Sequence, residues 1–306
     1  MYLNRKCSPW ICTDEIYNMD GILYLCATPI GNLSDMSPRI RECLESVDLI
    51  AAEDTRNSIK LLNHFDIHTP MTSYHEYNKI DKAMSLIAAL REGKNIALIT
   101  DAGTPAISDP GEDLVRMCAD AGITVTSLPG PCACITALTL SGLNTRRFVF
   151  EGFIPRDKKE RAQVLKSLES ETRTMIIYEA PHHLKGTLDD LAKALIGGEN
   201  RKIALCRELT KKFEEVDRTT IKAAIAKYET EEPRGEYVLV IEGRDAGEIK
   251  AEEEARWEEI SVTEHVKMYE DKGMDRKEAM KAAAKDRGVG KRDIYAALEK
   301  ESDKQS

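Results

Sequence analysis

The stretch Asn95-Ile96-Ala97-Leu98-Ile99-Thr100-Asp101-Ala102-Gly103-Thr104-Pro105-Ala106-Ile107-Ser108-Asp109-Pro110-Gly111 decides the class of fold. An apolar run comes first, then a loop of glycine, proline and small polar residues. Glu112 to Ala121 follows, with apolar residues at helical spacing. A short uninterrupted apolar run reads as a strand buried on both faces, and strand, loop, helix is the repeating unit of a parallel sheet. Comparable runs recur at Ile22 to Ala27, Leu49 to Glu53, Thr124 to Pro129, Met175 to Ala180, Lys202 to Glu208 and Glu236 to Gly243. Helix-period stretches such as Lys79 to Glu92 lie between them, so the class is α/β with right-handed βαβ units. Ser37 before Pro38 is a helix start signal, and Asp157 with Glu160 has the spacing of a capping box.

At 306 residues the chain exceeds the usual single-domain size. Its strand runs fall into two sets, one before about Pro131 and one after Phe148, and the joining stretch Cys132 to Asn144 reads as a helix. The expected organisation is an extension over 1–20, set aside from the fold, an N-terminal α/β domain over 21–131 and a C-terminal α/β domain over 132–245. An acidic connector and a basic helical tail fill 246–306. A cleft between the α/β domains is the expected site.

Composition excludes several classes. Hydrophobic residues make up 42% and charged residues 32%, which argues against disorder or a fibre. No apolar run approaches membrane-spanning length and no signal-peptide pattern opens the chain, so a cytoplasmic location with no membrane partner is expected. Eight cysteines contain no Cys-x-x-Cys pair, and His182-His183 has no completing ligands, so no metal is expected. The net charge of −9 disfavours indiscriminate nucleic-acid binding. Within Lys272 to Arg292, however, eight basic residues stand against three acidic ones. That segment reads as helix (Asp275 to Arg287), glycine-bearing turn, helix (Lys291 to Leu298), and its Lys277, Lys281, Lys291 and Arg292 are candidate RNA contacts. Arg156, Lys158, Lys159 and Arg161 form a second cationic cluster, and Lys212 joins a third. A solvated helix face is the plain alternative for each.

Three loops at strand ends carry the ligand argument: Thr28 to Leu33, Asp101 to Gly111 and Pro129 to Pro131. Ligands of open α/β sheets bind beyond the carboxyl ends of the strands. Pro29, Pro105, Pro110, Pro129 and Pro131 lack the N–H donors a phosphate cradle needs, and neither Gly-x-Gly-x-x-Gly nor a Walker pattern is present. Carbonyl oxygens on a tight backbone suit a sulfonium, an adenine edge and a ribose, the parts of S-adenosylmethionine. Stiffened turns are the alternative for any one loop alone.

The strings Leu23 to Leu33, Glu53-Asp54-Thr55-Arg56, Thr100 to Gly111, Tyr178-Glu179-Ala180-Pro181-His182 and Arg207-Glu208-Leu209-Thr210-Lys211-Lys212 resemble the ribosomal RNA small subunit methyltransferase I group of the tetrapyrrole methylase fold. The resemblance implies a two-domain, homodimeric methylase that binds S-adenosylmethionine between its domains. It also implies methylation of the 2′-hydroxyl of a cytidine in 16S rRNA of the 30S subunit. By the same resemblance, the cofactor residues are Pro29, Asp101, Gly103, Thr104, Pro105, Ile107, Ser108, Asp109, Pro131 and Ala133, with Tyr178, Ala180 and Ala204 from the second domain. The sequence departs from the group at Pro131-Cys132-Ala133-Cys134, where serine or alanine is commoner, and at His183, where arginine is usual.

A ribose hydroxyl is a poor nucleophile at neutral pH, so a carboxylate or neutral amine could take its proton. Candidates are Glu53, Asp54, Asp101 and, with its pKa lowered by burial, Lys211. Arg56 beside Asp54 is a candidate for substrate positioning. Helix capping is the alternative for Asp54, and acceptance of a loop N–H the alternative for Asp101. Two rivals remain: carbon methylation of a tetrapyrrole, and a non-catalytic RNA-binding assembly factor.

Overall fold

The computed structural model describes residues 20–304. Nearly all of the expected extension over 1–20, including Cys7 and Cys12, therefore lies outside the described residues.

The first half of the chain runs β1 (Leu23–Cys26), α1 (Pro38–Ser46), β2 (Leu49–Ala52), α2 (Thr55–His64), β3 (Met71–Ser73), α3 (Lys79–Arg91), β4 (Ile96–Ile99), α4 (Gly111–Asp120), β5 (Val125–Leu128) and α5 (Ala133–Ser141). The five strands form one sheet in the order β3-β2-β4-β1-β5, and every neighbouring pair is parallel. Leu23 is in register with Ile96 and Val125, and Cys26 with Leu128. Parallel pairing puts all carboxyl ends on one edge, so the loops after β1, β2, β4 and β5 share that edge.

Burial explains why the apolar runs became strands. All four residues of β4 are at most 2% exposed, and Leu23 and Cys26 of β1 are fully buried. Each such aliphatic side chain contributes about 1.5–3 kcal/mol relative to exposure. Helix α1 starts where expected: the Ser37 hydroxyl accepts the Ile40 N–H at 3.2 Å, and Pro38 occupies the first turn.

The second half continues β6 (Phe148–Phe153), α6 (Lys158–Leu168), β7 (Thr174–Glu179), α7 (Pro181–Ala194), β8 (Lys202–Arg207), β9 (Glu215–Thr220), α8 (Ile221–Thr230) and β10 (Tyr237–Ile241). The sheet order is β6-β7-β10-β8-β9, with β6 parallel to β7. Asp157 caps α6 by accepting the N–H groups of Lys159 and Glu160. Four helices close the chain: α9 (Ala246–Glu258), α10 (Val262–Glu270), α11 (Arg276–Asp286) and α12 (Lys291–Lys304). The last three share a small core of Val266, Ala279, Met280, Ala283, Ala284 and Ile294. A capping box of Ser261 and Glu264 starts α10.

The chain divides into two compact units. One holds the described residues up to Leu140 together with Leu205–Asp217 and Gly235–Val238, and the other holds Ser141–Ala204, Arg218–Arg234 and the chain from Leu239.

Candidate functional site

The loop after β4 is drawn back onto its neighbours by backbone pairing. Thr28 and Gly103 exchange N–H to carbonyl bonds, at 2.9 Å from Thr28 and 3.1 Å from Gly103, which forms an isolated antiparallel bridge. The buried Thr28 hydroxyl also donates to the Thr100 carbonyl at 3.1 Å. On the other side, the Thr104 hydroxyl donates to the Pro131 carbonyl at 2.9 Å. Three loops that are distant in sequence are thus joined through Gly103 and Thr104.

Gly103 sits at φ +90°, a left-handed conformation that glycine adopts without penalty. An added Cβ would stand 3.3 Å from Ile30 Cγ2 and 3.7 Å from the Pro131 carbonyl oxygen. Further along, Ala106 and Ser108 also have positive φ, at 65° and 63°. Such strain persists only where the surroundings enforce it. Here Asp109 enforces it: Oδ1 accepts the N–H groups of Ala106 (3.0 Å) and Gly111 (2.7 Å), and Oδ2 that of Ile107 (3.2 Å). Beneath the loop, the buried Tyr74 hydroxyl donates to the Pro110 carbonyl at 3.0 Å. Burial, with the Asp113 charge nearby, pushes that phenol up to about 12.

The corner after β2 is tied to the same loop. Asp101 accepts the Asp54 N–H at 3.2 Å and the Asn57 side-chain amide at 3.0 Å. Asp54 caps α2 by accepting the Arg56 N–H at 2.8 Å and grips the Arg56 guanidinium at 2.7 and 3.0 Å. The Arg56 side chain holds the Asp54 carboxyl down at about 2. Glu53 accepts the Thr100 hydroxyl at 2.6 Å.

Lys211 reaches this edge from far along the chain, because an added Cβ on Gly31 would lie 2.4 Å from Lys211 Cγ. Its ammonium pairs with Glu236 at 2.8 Å and Glu208 at 3.0 Å. Burial works to lower its pKa, but these carboxylates outweigh burial and raise it. The expectation of a neutral amine is therefore corrected: Lys211 is an ammonium locked in two ion pairs. Sequence reasoning placed Glu208 and Glu236 at strand ends but gave neither a role at the site. Glu208 lies three residues before Lys211 and has a positive φ of 51°, but positive φ cannot be read from a glutamate's sequence position.

Cys132 precedes the first turn of α5, with its sulfur 3.4 Å from that of Cys134. The Cys134 thiol, outweighing partial burial, and the N–H groups of Ile135 and Cys134 with the Thr104 hydroxyl, lower the Cys132 thiol to about 6. Ala133 opens α5 directly after it.

The remaining expected cofactor residues lie in the second unit. Tyr178 is half-buried between the ring edges of Phe150 and Phe153, at 5.0 and 5.6 Å, while Ala180 caps α7 and Ala204 is buried in β8. Of the expected RNA contacts, Arg156, Lys158, Lys159, Lys212, Lys277, Lys281, Lys291 and Arg292 are exposed. Arg161 is engaged within its own unit, donating to Asp190 at 2.7 Å and to the Thr187 hydroxyl at 2.9 Å. Arg287, counted in the basic tail, also turns inward: it donates to His265 Nδ1 at 3.1 Å and to the Ile260 carbonyl at 2.6 Å.

The model of the tetrapyrrole (corrin/porphyrin) methylases matches residues 23–225, so the edge joined at Gly103 belongs to a methylase of that type. The chain is 50% identical over 275 residues to the ribosomal RNA small subunit methyltransferase I of Halalkalibacterium halodurans, covering 90% of this chain and 93% of that one. It is 49% identical over 277 residues to the protein of the same name from Bacillus subtilis, covering 90% and 94%. A crystal structure of diphthine synthase shares the fold, with a TM-score of 0.57 at 11% identity over 73% of this chain and 90% of that one. The chain belongs to the ribosomal RNA small subunit methyltransferase I group of the tetrapyrrole methylase family. S-adenosylmethionine is the family's methyl donor, and a donor-poor edge with a left-handed glycine at its centre fits it.

Proposed function

We propose that the protein methylates the 2′-hydroxyl of a cytidine in 16S rRNA of the small ribosomal subunit. The observation that carries this reading is the edge joined at Gly103 and Thr104, where prolines interrupt the backbone and the N–H groups of Thr28, Gly103, Ala106, Ile107 and Gly111 are already taken up. When bound there, S-adenosylmethionine supplies a methyl group on a cationic sulfur.

By the resemblance, the residues that would hold the cofactor are Pro29, Gly103, Thr104, Pro105, Ile107, Ser108, Pro131 and Ala133, together with Tyr178, Ala180 and Ala204. Asp109 acts through the loop shape that its carboxylate enforces. Much of the acceleration comes from positioning the acceptor and excluding water. Asp101 is the carboxylate assigned to receive the hydroxyl proton: it is exposed and fixed by Asn57. Asp54, held at about 2 by Arg56, is too weak a base for that task. It orients Arg56, whose side chain is 88% exposed, toward an RNA phosphate. Lys211 braces the β1 loop at Gly31 as a cation.

Support for rRNA comes from the names of the relatives and from cations left at the surface. The exposed lysines of α11 and α12 and of the start of α6 stand against a net charge of −9 for the chain. The homodimer and the 30S context enter the same proposal through the resemblance.

The test is incubation of the protein with methyl-labelled S-adenosylmethionine and unmodified 30S subunits, followed by nucleoside analysis. Labelled 2′-O-methylcytidine is expected. Label on a base, or label only in an added tetrapyrrole, would contradict the reading.

A further inference from the structure

A cavity of about 900 Å³ opens in the second unit, at the starts of β6, β7 and β8 and just after β10. Tyr178 lies near the opposite end of β7, whose six residues span about 17 Å. Six cations line the cavity against three acidic residues: Arg146, Arg147, Arg173, Arg201, Lys202 and Arg244. This inverts the sign of the chain as a whole.

Two features mark it as more than a solvated surface. First, Arg201 is 6% exposed and spends two of its nitrogens on backbone carbonyls, Nε on Ile196 at 3.1 Å and Nη1 on Glu242 at 2.9 Å. Its Nη2 is buried with no partner among the described residues, although a buried guanidinium ordinarily satisfies every donor. Burial, aided by the like charge of Arg244, depresses its pKa, so an added anion would relieve both strains. Second, the neutralisation is incomplete. Arg173 pairs with Glu171, Lys202 with Glu242 and Arg244 with Glu252. Arg146 and Arg147 are exposed at the rim, and Arg201 has no carboxylate bound to it among the described residues.

We propose that this cavity binds phosphodiester groups of the RNA substrate, with Arg201 as a fixed anchor and Arg146 and Arg147 as contacts at its mouth. Among the described residues no aromatic side chain lines it, so it offers backbone grip without base stacking, and binding there is independent of sequence. Arg146 and Arg147 suit the mouth because a planar guanidinium fork matches two phosphate oxygens, and Arg201 adds the one nitrogen it has not spent on carbonyls. The anion chemistry stands on the cavity alone; the choice of RNA as its source rests on the function proposed above.

The test compares the full-length protein with the variants R146E/R147E and R201K. Affinity for a labelled single-stranded RNA is measured across a salt series, alongside S-adenosylmethionine affinity and methylation of 30S subunits. With both rim arginines reversed, RNA affinity is expected to fall by about tenfold and the salt slope by about 1.4. Cofactor affinity stays unchanged, and the KM for 30S subunits rises while kcat holds. R201K keeps the charge but loses the guanidinium and its bonds to the Ile196 and Glu242 carbonyls, so it should melt at a lower temperature and, measured where it is still folded, bind RNA more weakly. Unchanged RNA affinity and slope in R146E/R147E would overturn the proposal. So would phosphorus NMR showing that inorganic phosphate binds at Arg201 while RNA affinity ignores both variants, because the site would then serve free phosphate. If no protein form methylates 30S subunits but RNA affinity still falls in R146E/R147E, the function proposed above fails and this site stands.

Discussion

Thr28 and Gly103 lie 75 residues apart and hold each other by two backbone hydrogen bonds, while the Thr28 hydroxyl reaches toward the Gly103 carbonyl as well. The pairing makes one surface of two strand-end loops, and Thr104 extends it to a third through Pro131. A ligand bound at this edge would meet three loops that are already joined, which would spare part of the entropy that ordering costs.

Gly103→Val tests that surface at its centre. A β-branched residue at φ +90° is strained by about 1–3 kcal/mol, and the new side chain would press on Ile30. Calorimetry should show S-adenosylmethionine binding abolished in a protein whose circular dichroism is unchanged. Undiminished affinity would remove Gly103 from the site.

Asp109→Ala removes the acceptor of three loop N–H groups. Ala106 and Ser108 then have nothing to hold their left-handed backbone, and stability should fall by about 2 kcal/mol. Cofactor affinity should fall with it, because the loop relaxes. Chemical denaturation and calorimetry on the same sample check both.

Cys132 should be the most reactive of the described thiols. Its thiol is lowered to about 6 chiefly by Cys134, so it is thiolate at neutral pH, whereas burial raises Cys118 to about 11. Mass spectrometry after brief iodoacetamide treatment should find Cys132 modified first, at a rate that is flat above pH ~7. S-adenosylmethionine should protect it, since Thr104 lies between Cys132 and the Gly103 bridge.

His265 makes the helical tail sensitive to acid. It is fully buried, stacks on Trp257 at 3.9 Å between ring centroids and faces Asp286, Arg287 and Lys272. Burial, reinforced by the Arg287 charge and opposed by Asp286, lowers its pKa below the ordinary 6.5. The folded tail therefore holds the neutral ring, while the unfolded chain takes up a proton as pH falls through 6.5. Stability of the tail should be pH-independent above that value and should decline below it. The Trp257 fluorescence of thermally melted samples reads this directly, with W257F as the blank, and His265→Gln should flatten the profile.

Central strands were legible because burial on both faces leaves a continuous apolar signal. The strands that sequence reading passed over are β3, β6 and β9, and each lies at the edge of its sheet. Edge strands tolerate charge and irregularity. Thus β9 carries Glu215, Asp217 and Arg218, β6 is broken by a bulge between Phe150 and Gly152, and β3 has only three residues. At the site, the three loops were legible from their prolines and glycines. Their joining was not, because it rests on backbone bonds and on hydroxyls of Thr28 and Thr104, whose sequence neighbours say nothing of partners so far away. The same holds for the pairing of Lys211 with Glu236, which reverses the expected protonation of that lysine.

A structure of the protein crystallised with S-adenosylmethionine tests the central claim most directly. Density for the cofactor should lie against the Gly103–Pro105 backbone, with Pro131 and Ala133 in contact. A cofactor bound away from Gly103, or a loop that must open its Thr28 bridge to admit it, would contradict the account.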